Sequence, residues 1–175
     1  VIIGAEYATD KGDLIGLFLR EEVRARVAKE LIAAIKEQGG LVVLPHPYKA
    51  HQLDEELIQS IDIGEVYNSR TSRVHNEKAS ELAVRYGKPT LAGSDAHFYK
   101  ELGLATVEFT STCAKLEDTL LRGEREFETS PSKWYFETLS QLIKVVKLRD
   151  VGTLKALAIN IVTRISPYGL SKHSE

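Results

Sequence analysis

The segment Leu41-Val42-Val43-Leu44-Pro45-His46-Pro47 joins a short apolar run to a histidine between two prolines. Apolar side chains occupy both the odd and the even positions of the run, which is typical of a strand buried on both faces of a parallel sheet. An amphipathic stretch, Glu21–Gln38, precedes the run and ends at Gly39-Gly40, a helix stop signal. A helix that leads into a buried strand predicts an α/β fold.

The same alternation of apolar runs and helical patterns continues along the chain. The predicted strands are Val1–Ala5, Leu41–Pro45, Ile61–Tyr67, Thr90–Ala92 and Ala105–Phe109. The predicted helices are Glu21–Gln38, Asp54–Ser60, Asn76–Tyr86, Lys115–Arg122, Trp134–Leu148 and Thr153–Ile165. Both an α/β barrel and an open doubly wound sheet fit this order, but five strands are too few to close a barrel of the usual size. Because the chain opens directly on an apolar run and contains no methionine, we expect further strands upstream of Val1.

The charge is distributed unevenly along the 175 residues. Residues 1–132 carry a net charge of -6 and residues 133–175 a net charge of +4. We expect residues 1–130 to form the C-terminal part of a catalytic α/β domain and residues 131–175 to form a helical tail packed on it. The alternative for the tail is a basic amphipathic surface that contacts a partner or an acidic ligand. The overall net charge of -2 does not favour long nucleic acid as a ligand.

Cysteine content and hydropathy indicate the cellular environment of the protein. Cys113 is the single cysteine, so an intrachain disulfide and a zinc–cysteine cluster are both excluded. This cysteine usage fits a reducing, cytoplasmic location. No uncharged apolar run approaches the ~20 residues of a membrane-spanning helix, and we expect no membrane span.

Polar side chains of metal-ligating type follow the predicted strands. Carboxyl ends of parallel strands meet at one edge of an α/β sheet, so residues distant in sequence converge there. Carboxylates and imidazoles are the ligands of zinc, manganese and iron sites. The pattern therefore predicts a metal site, although each residue alone has a simpler interpretation, such as helix capping by Asp95 or a lysine ion pair for Glu6. The residues concerned are Glu6, His46, Asp95 and His97, with Glu65 and Asn68 as supporting residues.

Four strings, in this order, resemble the later motifs of the PHP (polymerase and histidinol phosphatase) family. They are Gly4-Ala5-Glu6, Leu44-Pro45-His46-Pro47, Glu65-Val66-Tyr67-Asn68 and Gly93-Ser94-Asp95-Ala96-His97. The resemblance covers about residues 1–110 and implies a distorted seven-stranded β/α barrel, incomplete here at its N-terminus. It also implies two or three divalent metal ions (Zn, Mn or Fe). By the same resemblance Glu6 bridges metals, His46 ligates one, and Asp95 and His97 ligate others.

The chain departs from the family pattern in two places. The first family motifs, a His-x-His and a later Asp and His, are absent, and we expect them upstream of Val1. Many relatives also have a histidine shortly after the bridging glutamate, in a Gly-His-hydrophobic string. Here Asp13 follows Gly12, and Asp13 could ligate a hard metal or bind nothing.

The resulting hypothesis is metal-dependent hydrolysis of a phosphate ester, with the four ligands as catalytic residues. Lys49, Asn68 and Arg70 are the candidate substrate contacts. The substrate class is open among a small phosphomonoester, a nucleotide phosphate and a nucleic-acid end. Two alternatives remain: a catalytically incomplete regulatory or scaffolding module, and an amidohydrolase-like enzyme that acts on C–N bonds.

Overall fold

The computed structural model describes residues 1–148, and describes side chains as far as residue 144. The strands are β1 Gly4–Thr9, β2 Gly12–Leu17, β3 Leu41–Leu44, β4 Ile63–Asn68, β5 Thr90–Gly93, β6 Ala105–Phe109 and β7 Arg125–Thr129. The helices are α1 Ala28–Glu37, α2 Glu55–Ser60, α3 Arg73–Tyr86, α4 Leu116–Arg122 and α5 Trp134–Leu148, with a 3-10 turn at Tyr99–Glu101. The predicted helix Thr153–Ile165 lies outside the described residues.

The strands form two sheets. The larger has the order β1-β2-β3-β4-β5, and β6 pairs with β7 in a separate two-stranded sheet. Strands β3, β4 and β5 are parallel, whereas β2 is antiparallel to both of its neighbours. Two antiparallel pairings separate β1 from β3, so β1 runs in the same direction as the three parallel strands. The α/β prediction is confirmed, while the seven-stranded barrel stays a prediction, because within residues 1–148 the strands form one five-stranded and one two-stranded sheet.

The first strand and the first helix differ from the sequence prediction. Strand β1 begins at Gly4 and continues to Thr9 because it pairs with β2 in a hairpin, so Glu6 lies within a strand rather than after one. Helix α1 begins at Ala28 rather than at residue 21. The carboxylate of Asp10 accepts a hydrogen bond from the backbone N–H of Ala28 at 2.7 Å, which satisfies one of the free donors of the first helical turn.

Apolar side chains cover both faces of the large sheet. On one face, α1 packs its buried side chains, among them Leu31 and Ile35, against Leu14 and Val42 of the sheet. On the other face, Val43 and Ile63 form a second buried cluster with Leu120 of α4. Burial on both faces explains why β3 is a continuous apolar run. Within residues 1–148 no helix has the length and apolar character that crossing a bilayer requires.

Candidate metal centre

The β1–β2 hairpin brings two carboxylates to the same face of the sheet. Tyr7 and Leu14 are directly opposite each other in the register and both are buried in the cluster beneath α1. Side chains alternate between the faces of a strand, so the adjacent residues Glu6 and Asp13 project from the opposite face. That face is the one on which Val43 forms the second apolar cluster.

His46 follows the end of β3, and its side chain lies beside that of Glu6. Its backbone has a positive φ of 28°, a conformation that is strained for a residue with a side chain. The backbone N–H of His46 donates to Oε2 of Glu65 at 2.7 Å, which holds this turn in place. The imidazole is 7% exposed, and its Nε2 lies 3.4 Å from Oε1 of Glu6.

Glu6, Asp13 and His46 form a compact group of metal-ligating atoms. Each offers one ligand atom, and these atoms all lie within 4.8 Å of one another. Nδ1 of His46 is buried and has no hydrogen-bond partner among the described residues, so neighbouring groups do not use the full bonding capacity of the ring. Two carboxylates and an imidazole are a suitable donor set for zinc, manganese or iron. The residues therefore fit a divalent metal ion, and Asp13, the departure from the family pattern, is one of the three.

The protonation equilibria of the group reflect its mutual contacts. The hydrogen bond with His46 lowers the pKa of Glu6, and the nearby charge of Lys49 acts in the same direction. Burial alone would lower the pKa of His46, but the contact with Glu6 and the charge of Glu65 raise it above its ordinary value. Since a metal binds the neutral imidazole, metal binding at this group competes with protonation of His46, which Glu6 favours.

Asp95 and His97 form a second pair beside this group. Asp95 has a positive φ of 49°, and Nδ1 of His97 lies 2.9 Å from the Asp95 backbone oxygen and 3.6 Å from Oδ1. Nζ of Lys49 lies 3.5 Å from Oδ2 of Asp95. His97 contributes to the lowered pKa of Glu6, and Asp95 to the raised pKa of His46. The pair therefore borders the first group, although its ligand atoms lie outside the 4.8 Å cluster that is found within the described residues.

Glu65 and Asn68 support the turn that carries His46. Both side chains are buried, and Nδ2 of Asn68 donates to Oε2 of Glu65 at 3.1 Å. Burial raises the pKa of Glu65, although its hydrogen bonds from His46 and Asn68 oppose that rise. Oδ1 of Asn68 accepts a hydrogen bond from the Arg70 backbone N–H at 2.9 Å. Asn68, predicted as a substrate contact, is therefore engaged with neighbouring protein groups.

Lys49 and Arg70, the two predicted cationic substrate contacts, differ in exposure and in their partners. The side chain of Lys49 is 45% exposed and borders the site through Asp95. The side chain of Arg70 is 4% exposed, and its guanidinium is bonded to the carboxylate of Glu101 and to Oγ of Ser140. The structure thus does not place Arg70 where a phosphate reaches it, because a buried carboxylate already occupies the guanidinium.

Sequence reasoning missed two supporting residues, His51 and Glu101. Nε2 of His51 lies 2.8 Å from the backbone oxygen of Asp13, and its ring centroid lies 5.5 Å from that of His46. Glu101 is fully buried and binds the backbone N–H of His97. No local pattern marks either role, because each depends on a contact between separate segments.

We expect Asp13→Asn to weaken Mn²⁺ binding to the full-length protein by at least tenfold. The loss of a direct ligand should cost no less than the loss of an outer partner of a ligand, which costs about 10- to 100-fold in affinity. Titration calorimetry with Mn²⁺ measures the effect. Asp10→Asn is the control, since Asp10 lies in the same hairpin but caps α1. Equal affinities for wild type and Asp13→Asn would exclude Asp13 as a ligand.

The fold and the clustered donors define an α/β protein with a candidate divalent-metal site at one edge of its sheet. Residues 73–126 match a family model described as PHP-associated. This range includes Asp95 and His97, and the match confirms the resemblance to the PHP family.

Two proteins of Methanocaldococcus jannaschii are similar in sequence, and both are described as uncharacterized. MJ0417 is 38% identical over 131 residues, which is 68% of this chain and 55% of that protein. MJ1587 is 51% identical over 49 residues, 27% of this chain and 29% of that protein. The chain thus spans about half the length of the first relative and less of the second.

A solved structure shows the same fold. The crystal structure of PsfC from Pseudomonas syringae PB-5123 aligns with a TM-score of 0.56 at 18% identity, over 73% of this chain and 58% of that chain. The likeness concerns the arrangement of helices and strands.

Proposed function

We propose that this chain carries part of the active site of a metal-dependent phosphoesterase. The observation that carries the proposal is the convergence of Glu6, Asp13 and His46, whose ligand atoms lie within 4.8 Å of one another. The PHP-associated match over residues 73–126 supports it independently, because that range contributes the adjacent Asp95 and His97.

In this proposal Glu6, Asp13 and His46 hold one divalent ion, and Asp95 and His97 contribute to a neighbouring position. A divalent ion in such a site supplies Lewis-acid chemistry, lowering the pKa of water and neutralising phosphate oxygens. The lowered pKa of Glu6 keeps this carboxylate ionised, which is the form that binds a cation. The strained backbone at His46 and Asp95 holds two donors in directions that a relaxed chain would not maintain.

Lys49 is the proposed phosphate contact. Its Nζ lies at the margin of the site, 3.5 Å from Asp95, and its side chain is accessible. A lysine ammonium binds a phosphate oxygen through a charge-assisted hydrogen bond. The substrate in this proposal is a small phosphorylated molecule, since the net charge of -6 over residues 1–132 disfavours a long polyanion.

Metal removal from the full-length protein tests the proposal. We expect chelation to abolish hydrolysis of p-nitrophenyl phosphate and added Mn²⁺ to restore it, because the ion supplies several kcal/mol of transition-state stabilisation. A parallel assay uses cyclic and linear amides. Hydrolysis of amides alone would favour the amidohydrolase-like alternative, and metal binding without hydrolysis of either class would favour a regulatory module. Phosphatase activity that survives chelation would contradict the proposal.

A further inference from the structure

We propose that Arg70 and Glu101 are positioning residues for the segment that carries Asp95 and His97. This inference rests on the proposed metal site, since positioning matters only if the segment ligates metal. The buried ion pair between Arg70 and Glu101 fixes the backbone of this segment through hydrogen bonds from its amides.

Glu101 is the centre of the arrangement. Its side chain is fully buried. Oε2 accepts hydrogen bonds from the backbone N–H groups of His97 at 2.9 Å and Phe98 at 3.1 Å. Oε1 accepts from Oγ of Ser132 at 2.5 Å, and Nη1 of Arg70 donates to both oxygens at 3.0 and 3.2 Å. A carboxylate offers about four acceptor positions, so these contacts satisfy the Glu101 carboxylate.

The effect of these bonds on the pKa of Glu101 is consistent with a permanent charge. Burial alone would raise the pKa of Glu101, but the hydrogen bonds from Ser132 and His97 and the charge of Arg70 outweigh burial and lower it. A buried charge is stable only when it is paired and hydrogen-bonded. Glu101 and Arg70 therefore depend on each other, and the two amides at His97 and Phe98 depend on Glu101.

A continuous series of hydrogen bonds joins this ion pair to the other ligand-bearing segment. The backbone N–H of His46 donates to Glu65, and Asn68 donates to the same Glu65 oxygen. Asn68 in turn accepts from the backbone N–H of Arg70, and the Arg70 side chain binds Glu101. Each link lies between 2.7 and 3.1 Å. One hydrogen-bond network thus connects the turn that carries His46 to the turn that carries His97 and holds them at a fixed distance.

The same network reaches α5. Nη2 of Arg70 donates to Oγ of Ser140 in α5 at 2.5 Å. The rings of Phe98 and Phe136 stack with centroids 5.3 Å apart. The segment that follows Asp95 is therefore fixed on one side by the strand ends and on the other by a helix from the end of the described chain.

Backbone strain explains why this support bears on the metal site. Asp95 has a φ of 49°, and such a conformation persists only where the surroundings over-determine it. The hydrogen bonds from the His97 and Phe98 amides to Glu101 provide that restraint two and three residues further on. Without them the segment is free to relax, and Asp95 and His97 lose their common orientation.

Glu101→Gln in the full-length protein tests the proposal with two readouts. Glutamine keeps the size of the side chain but removes the charge and half of the acceptor capacity. We expect Mn²⁺ affinity to fall about 10- to 100-fold, as for other residues that orient metal ligands, and hydrogen exchange at the His97 and Phe98 amides to accelerate. Asp62→Asn is the matched control, because Asp62 also accepts a backbone N–H, that of Val42 at 2.8 Å, but lies before β4 at the opposite edge of the sheet. In the control we expect unchanged Mn²⁺ affinity.

Arg70→Lys keeps the test decisive if the glutamine variant does not fold. It preserves a cation beside Glu101 but loses the planar fork that binds both oxygens and Ser140, so the same changes are expected in the same direction. Unaltered Mn²⁺ affinity in the folded variants would overturn the proposal, as would faster exchange spread evenly over the protein. A wild type that binds Mn²⁺ but hydrolyses no phosphate ester would end the proposed function and leave this inference standing. A wild type that binds no Mn²⁺ would end both.

Discussion

Replacing Glu6 with glutamine is expected to lower the metal-dependent phosphoesterase activity of the full-length protein by about 1,000-fold or more. The reason is the position of Glu6: its carboxylate lies 3.4 Å from His46 and shares the ligand cluster with Asp13. The metal ion stabilises the transition state by several kcal/mol. Loss of that stabilisation corresponds to about this factor, because each 1.36 kcal/mol changes the rate about tenfold. Glutamine retains the shape of the side chain, so the fold is preserved and the missing quantity is the negative charge.

Glu77→Gln is the control for that experiment. Glu77 lies on the exposed surface of α3, where it pairs with Arg73, and its replacement should leave the rate unchanged. Steady-state rates at saturating Mn²⁺, with the metal content of each sample determined, separate loss of metal from loss of protein. Wild-type rates in the Glu6 variant would remove this residue from the site and weaken the case for a metal ion in that position.

Replacing Leu31 with alanine is expected to lower the free energy of unfolding by about 2–5 kcal/mol. Leu31 is 0% exposed and lies in the cluster that joins α1 to the sheet beneath the β1–β2 hairpin. Removal of its side chain leaves a cavity that the surrounding close-packed residues fill only in part. Since this cluster supports the strands that carry Glu6 and Asp13, metal affinity should fall together with stability as the protein approaches unfolding.

Leu116→Ala is the comparison for Leu31, because Leu116 is the same residue type but 47% exposed at the start of α4. We expect a loss below about 1 kcal/mol there, as for most substitutions away from the core. Urea denaturation measures both values, and the slope of the transition shows whether the unfolded state has changed. Similar losses at the two positions would show that α1 does not anchor the sheet.

The sequence was sufficient to predict the strands that are buried on both faces. β3 and β4 both lie where strands are predicted, and β3 is a continuous apolar run, which needs no partner to be recognised. β2 was missed, since Gly12, Asp13 and Gly16 interrupt its apolar pattern and its existence depends on pairing with β1. β7 was missed for a related reason: Phe127 is its one apolar residue, and its pairing with β6 defines it.

The candidate site was predictable in its residue types and less so in its contacts. His46 and Asp95 follow strands that end at one edge of the sheet, so their approach follows from topology alone. Glu6 was expected after β1 and instead lies within it, but β1 runs parallel to β3 and the side chain still reaches His46. The burial of Arg70 could not be foreseen, because its partner Glu101 is 31 positions further along the chain.

In the proposed site, Glu6, Asp13 and His46 bind one divalent metal ion together. Crystals of the full-length protein grown with Mn²⁺, with anomalous diffraction recorded at the manganese edge, test it directly. We expect an anomalous peak about 2.0–2.3 Å from a carboxylate oxygen of Glu6, one of Asp13 and a ring nitrogen of His46, distances typical of such metal sites. Manganese bound only at other residues, with these three side chains free of it, would show that they do not form a metal site.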